Sequence, residues 1–253
     1  DSVSTSGDIE LKAGSSLGGA GGRVDIQGGN GHNKGGSVRI AAGFASSSTG
    51  GIVNIMSGGS TGKESGGVFI RTGESHRLTG NIQVNTGNSK GGNSGALFFK
   101  TGNAFGGESG SITVSTGSSF ADDTGTISVK AGITASSDNR GGNVNVYGGN
   151  NEFKGGDVNI IGGSSNDGTG GSIYISSGES KKENSGNILV QTQSSTGNGA
   201  SGTIQIKSGI SVSKSGHVFV QSGAAIEYPG DIDMRAGDSE NQVGGAVSIQ
   251  AGA

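Results

Sequence analysis

Three histidines (His32, His76 and His217) and the adjacent carboxylates Asp122–Asp123 are the side chains whose types could carry acid–base or metal chemistry. Either role needs several such groups converging on one point. His32 and His76 fall in polar, glycine-rich stretches of turn character, and His217 sits in a segment that alternates polar and apolar residues. Nothing in their spacing supplies converging partners, so a solvated surface position is expected for each. Asp122–Asp123 reads as a turn motif on the same grounds. The 56 glycines produce chance likenesses to phosphate-cradling loops, but a phosphate site also needs a strand before the loop and a helix after it. The calcium-binding nonapeptide G-G-x-G-x-D-x-U-x does not recur. With no cysteine, a disulfide framework and thiolate-held metal are both excluded. The chain is therefore expected to be no enzyme and to carry no cofactor and no metal.

Charge narrows the partners further. Seventeen basic against twenty acidic residues give a net charge of −3, without the basic stripe that nucleic acid demands. No apolar run approaches the roughly 18 residues of a membrane span. The opening DSVSTSGD lacks the basic and apolar regions of a signal peptide.

The elements that would position any surface follow from a repeat. The unit is G-x-[VI]-x-[VI]-x-x-G followed by about seven polar residues, as in GDIELKAG at Gly7, GSVRIAAG at Gly36, GSITVSTG at Gly110 and GDVNIIGG at Gly156. Seventeen opening glycines, from Gly7 to Gly245, are spaced by a mean of about 15 residues. Two β-branched residues flanking one polar residue is the period-2 signature of a strand with one buried face. A helix is excluded, because each interior glycine would cost about 1 kcal/mol. Strands this short bury nothing alone, but identical units stacked in register turn their aliphatic columns into a core. Val38, Ile40, Ile112, Val114, Val158, Ile160, Ile204 and Ile206 are the representative core residues. On that picture, replacing Ile160 by Asp melts several neighbouring coils.

Between these segments, Gly, Ser, Asn, Asp and Lys dominate, as turns with φ > 0 and local side-chain bonds require. Two columns hold small residues. One lies two after the closing glycine (Ser16, Ala45, Ser60, Ser89, Ser119, Ser165, Ser239), the other two after the second apolar residue (Ala13, Gly28, Ser57, Thr86, Gly162). Both read as inward bends where only a small side chain fits. Insertions fall near Ala135–Arg140 and Thr196–Ala200, where loops tolerate them.

Alternate repeats resemble each other more than neighbours do. Lysine occupies six of the eight turns after even copies and none after odd ones, while Phe69, Phe98, Leu189 and Phe219 fill the middle arm position of odd copies. Direct stacking two repeats apart accounts for this, and so does an ancestral two-repeat duplication. The expected fold is all-β: a parallel β-solenoid (β-helix or β-roll) of 17 repeats, with two strands per coil of about 30 residues. Residues 1–253 form a single continuous array without evident caps.

Such a rod would show its polar triads, for instance Ser111/Thr113/Ser115, on a flat face resembling that of ice-binding solenoids. Outward Phe69, Phe98 and Phe219 are candidate surface contacts for glycans or a neighbouring rod, although stacking between adjacent rungs explains them equally. None of the nineteen asparagines begins an N-x-Ser/Thr acceptor, which hints at avoidance of glycosylation in a secretory pathway. Joining Ala253 to Asp1 leaves 15 residues between Gly245 and Gly7, one repeat. The array is thus expected to be a slice of a longer one or to stack head to tail.

The whole chain resembles the Gly/Ser-rich tandem arrays of G-G-x-V-x-I-x-x-G-x-S form in large predicted surface or secreted proteins of microalgae and marine microbes; GGSVRIAAG at Gly35–Gly43 is one matching unit. The resemblance implies an extracellular or cell-surface structural or adhesive part. Its expected partner is itself, head to tail or laterally, or neighbouring repeats of a longer chain, with glycans or ice as the alternatives.

Overall fold

The computed structural model describes residues 6–121, 123–136 and 139–252, and the chain divides into two units, Asp1–Ile127 and Ser128–Ala253. The N-terminal DSVST, the first member of the Asp122–Asp123 pair and part of the Ala135–Arg140 insertion lie outside the described residues. Within each unit the seventeen-fold pattern persists as straight arms that alternate with loops. An arm runs from an opening glycine to the residue before the closing glycine, as in Gly7–Ala13, and the loop then leads to the next opening glycine. Each loop carries one bend of up to three residues, at 17–19, 61–63 and 181–183 for example.

The arms do not pair. No helix and no strand is present among the described residues, so the expected parallel β-solenoid with two strands per coil is not formed. The reason lies in where the backbone bonds go. A ladder needs successive arms side by side, about 4.8 Å apart, with their amides facing. In nine of the loops the backbone closes on itself instead. The opening glycine's N–H donates to the carbonyl of the closing glycine before it, as in Gly22 to Gly14 at 2.8 Å, Gly51 to Gly43 at 2.9 Å and Gly171 to Gly163 at 2.8 Å. Nine such necks close, at 2.8–3.0 Å, and they turn the segments between into compact loops whose ends meet.

Same-face neighbours confirm that the arms are extended. Residues i and i+2 point the same way only when the backbone is drawn out. Arg23 reaches Asp25 with its Nε at 2.7 Å, and Arg235 reaches Asp233 with its Nε at 3.0 Å. The rings of His217 and Phe219 lie 5.6 Å apart. These ion pairs are open to water and contribute little to stability.

Bends are made without left-handed backbone. No described residue, glycine included, has positive φ, which corrects the expectation of φ > 0 turns. Side chains cap the bends instead. The hydroxyl two residues beyond the closing glycine accepts from the N–H three residues on: Ser16 from Gly19 at 3.0 Å, Ser60 from Lys63 at 3.0 Å, Ser165 from Gly168 at 2.8 Å and Ser180 from Glu183 at 3.0 Å. Asn151 plays the same part, its Oδ1 accepting from Phe153 at 2.7 Å and Lys154 at 3.3 Å. Where this column is Ser or Asn it caps the bend; Ala45, at the same position, has no side-chain acceptor and is half-buried. Ser165→Ala is expected to release Gly168: its amide should exchange with solvent several-fold faster, with the neighbouring loops unchanged, consistent with a hydrogen bond of about 1 kcal/mol.

The other small column is crowded. A methyl group built on Gly28, Gly148 or Gly162 would lie 2.2–2.5 Å from the carbonyl oxygen of the next opening glycine, Gly36, Gly156 or Gly171. In these three necks the two chain segments approach too closely for a side chain without a backbone shift.

Cover along the arms follows the repeat. The first apolar position of each copy from Val24 to Val247 is 46–58% exposed, whereas Ile9 in the first copy is 100% exposed. The partial cover thus comes from the preceding repeat, whose neck brings Ala13 and Gly14 against Gly22, two residues before Val24. The second position is 58–77% exposed from Leu11 to Met234 and 90% at Ile249, in the last copy. The fall in cover at the first and last copies is what the nearest-neighbour logic of repeat chains expects.

Candidate functional site

The residues anticipated as a core stand in this half-covered register. Val38, Ile112, Val158 and Ile204 occupy the first position, with about half their surface open to solvent. Ile40, Val114, Ile160 and Ile206 occupy the more open second position. None of the described residues is a buried hydrophobic one, so the expected core is not formed. With no second layer of arms against them, these side chains line the chain as a comb.

The aromatic candidates are also open. Phe69, Phe98 and Phe219 expose 84–87% of their surface. Phe69 folds back along its own arm, so that a methyl group on Gly67 would lie 3.0 Å from the ring. In the Gly216 copy the equivalent position holds His217, whose ring meets Phe219. Tyr174 and Leu189 take the same middle position with similar exposure. Nothing in their placement sets the three phenylalanines apart as a binding platform.

The titratable candidates do not converge. His32 and His76 lie in the bends at 32–33 and 76–77, and His217 lies on an arm. Among the described residues no group of three His, Cys, Asp or Glu side chains could hold a metal ion. The surface concavities at Lys63–Gly66 and Glu74–Leu78 each lie within a single loop. No helix among the described residues is long and apolar enough to cross a membrane.

What the repeats do build, over and over, is the neck and the comb. No protein-family model, no curated protein and no solved structure matches the chain. The geometry is therefore read on its own terms. Nine necks hold a donor–acceptor pair, flanked by the residue before the closing glycine and the residue before the opening one. Each arm beside a neck offers two partly open aliphatic side chains and a backbone without ladder partners. That arrangement can cap, tie and present surface.

Sequence reasoning located the small neck column but missed the capping column's purpose. The available signal was Asn151, together with Thr134 at the same position. Asparagine is larger than a bend admitting only small side chains would take, and it shares with serine an acceptor oxygen.

Proposed function

We propose that the chain is a structural protein: a repeat segment of an extracellular fibre, stalk or adhesin-like surface filament. Its arms are covered by further copies or by neighbouring repeats of a longer chain. The observation that carries this reading is the comb, an apolar pair in every arm, left between about half and three quarters open at the same two positions almost throughout. The resemblance to surface and secreted tandem arrays supports the same reading.

The surface balance points the same way. The chain exposes 26636 Å², against roughly 10,000 Å² for a compact monomer of this mass. Covering the open part of one aliphatic side chain contributes on the order of 1 kcal/mol, and the array repeats that gain along its whole length. A lateral or head-to-tail partner with the same spacing is itself such an array, so a second copy matches every tooth of the comb.

The test is assembly of the full chain. With rising concentration, purified chain is expected to pass from monomer to elongated particles visible by negative-stain electron microscopy and by light scattering. Chain that stays monomeric at millimolar concentration would overturn the reading.

A further inference from the structure

We infer that the residue before each closing glycine is a closure code for the loops: alanine or glycine ties the neck, and threonine leaves it untied. Seven necks carry Ala or Gly at this position, and in all seven the opening glycine donates to the closing one. Four carry Thr72, Thr86, Thr101 or Thr116 before the closing glycine, and a fifth carries Thr192 before Gln193, which stands in the closing place; in none of these is the bond made among the described residues.

Neck width follows the code in graded steps. A methyl group on the opening glycine would lie 3.1–3.3 Å from the alanine Cβ in the necks of Ala13, Ala42, Ala131 and Ala236. With Ser57 and Ser177 the separation grows to 3.4–3.5 Å, and those necks still close. With Thr86, Thr101, Thr116 and Thr192 the Cβ stands 3.5–3.8 Å away, and the branched Cγ2 lies 3.2–3.6 Å from that same methyl position. β-Branching fixes the Cγ2 methyl group in place. The open necks of Ser208 and Ser222 are as wide without one, their Cβ standing 3.7 and 3.9 Å from the same point.

Two other features bear on closure. Loop length does not sort the necks, because Gly80 follows Gly73 by seven residues without a tie and Gly36 follows Gly29 by seven with one. The residue before the opening glycine varies together with the code: it is glycine in the same seven tied necks and in no untied one, and serine there goes with both states, as Ser65 and Ser185 are tied and Ser94 and Ser109 are not. Thr86→Ala, which leaves Ser94 in place, separates the two positions. Serine at the code position admits both states: the necks of Ser208 and Ser222 stay open. Pro229 stands before the opening glycine in the second of these, and nothing in the structure explains the first.

The code is written in blocks. In the unit Asp1–Ile127 four tied loops are followed by four untied ones, and in Ser128–Ala253 four tied loops are followed by three untied and one tied. The mechanical consequence rests on the proposed structural role. Under tension the untied blocks yield first, each loop releasing on the order of 20 Å of extended chain, while the tied blocks hold. A fibre of such segments alternates compliant and stiff stretches.

Amide hydrogen exchange on the isotopically labelled full chain, at a concentration where it is monomeric, reads the code directly. The amides of Gly22, Gly51 and Gly66 are expected to exchange roughly 2- to 10-fold more slowly than those of Gly80, Gly95 and Gly110. Thr86→Ala should bring Gly95 into the slow group, and Ala42→Thr should move Gly51 out of it. Equal rates in the natural chain, or no response of Gly95 to Thr86→Ala, would overturn the code even if filaments form. Failure to form filaments with the exchange pattern intact would overturn only the structural role.

Discussion

Replacing Val158 and Ile160 together by Asp is expected to leave the dilute chain's circular dichroism and amide spectrum essentially unchanged and to abolish its assembly. Both side chains are about half to three quarters exposed in the single chain. Substitutions at such positions usually shift stability by no more than about 0.5 kcal/mol. Inside an assembled comb the same two carboxylates would face aliphatic neighbours, where an unpaired ionised group costs several kcal/mol. The contrast between the two states is what makes the experiment decisive. It also reverses the expectation from a stacked solenoid, in which Ile160→Asp melts the coils around it. Altered amide signals across the repeats at Gly142 and Gly171 would show that the arm is packed within the chain. Undiminished particle formation by the double variant would show that the comb is not the contact surface.

That reversal marks how far the sequence could be read. Period-2 alternation at Val38 and Ile40, or Val158 and Ile160, states that two side chains share one face of an extended segment. The structure keeps that: Arg23 and Asp25 meet, as do His217 and Phe219. Alternation does not state which groups the arm's amides bond. That choice lies between a ladder with a distant arm and a bond within the next loop, and the local bond has far less chain to close. Gly22 and Gly14 are eight residues apart and meet, so the local bond is the one made. The repeat boundaries were legible because glycine and the β-branched pair recur at fixed spacing. The run Thr72, Thr86, Thr101, Thr116 was equally visible as letters. Its meaning depends on the distance between two segments at the neck, which no periodicity encodes. The aromatic positions were found as exposed and remain so, but exposure alone gives Phe69 and Phe98 no partner.

The largest thermodynamic effect is expected in calorimetry of the dilute chain, which should show a broad, weakly cooperative transition instead of a sharp one. The argument runs from surface. An unfolded chain of 24.6 kDa exposes roughly 36,000 Å² and a compact one roughly 10,000 Å². At 26636 Å², this chain has removed only about a quarter of the unfolded surface from water, where a compact domain removes about 70%. A compact chain of 253 residues has an unfolding heat-capacity change of about 3–4 kcal/mol/K. Scaling by covered surface brings the dilute chain to about 1.2 kcal/mol/K, which is an upper bound because real unfolded chains are themselves partly compact. Cooperativity should be low for a second reason: in a nearest-neighbour repeat chain, opening one arm does not expose a distant one. Assembly changes both terms, since partners that bind only the ordered form stabilise it by mass action. Above the assembly threshold the transition is therefore expected to sharpen, to rise in temperature with chain concentration and to gain heat-capacity change. A sharp, concentration-independent transition with the full heat-capacity change would show instead that the single chain already holds a core. Val158 and Ile160 would then have to be inside it.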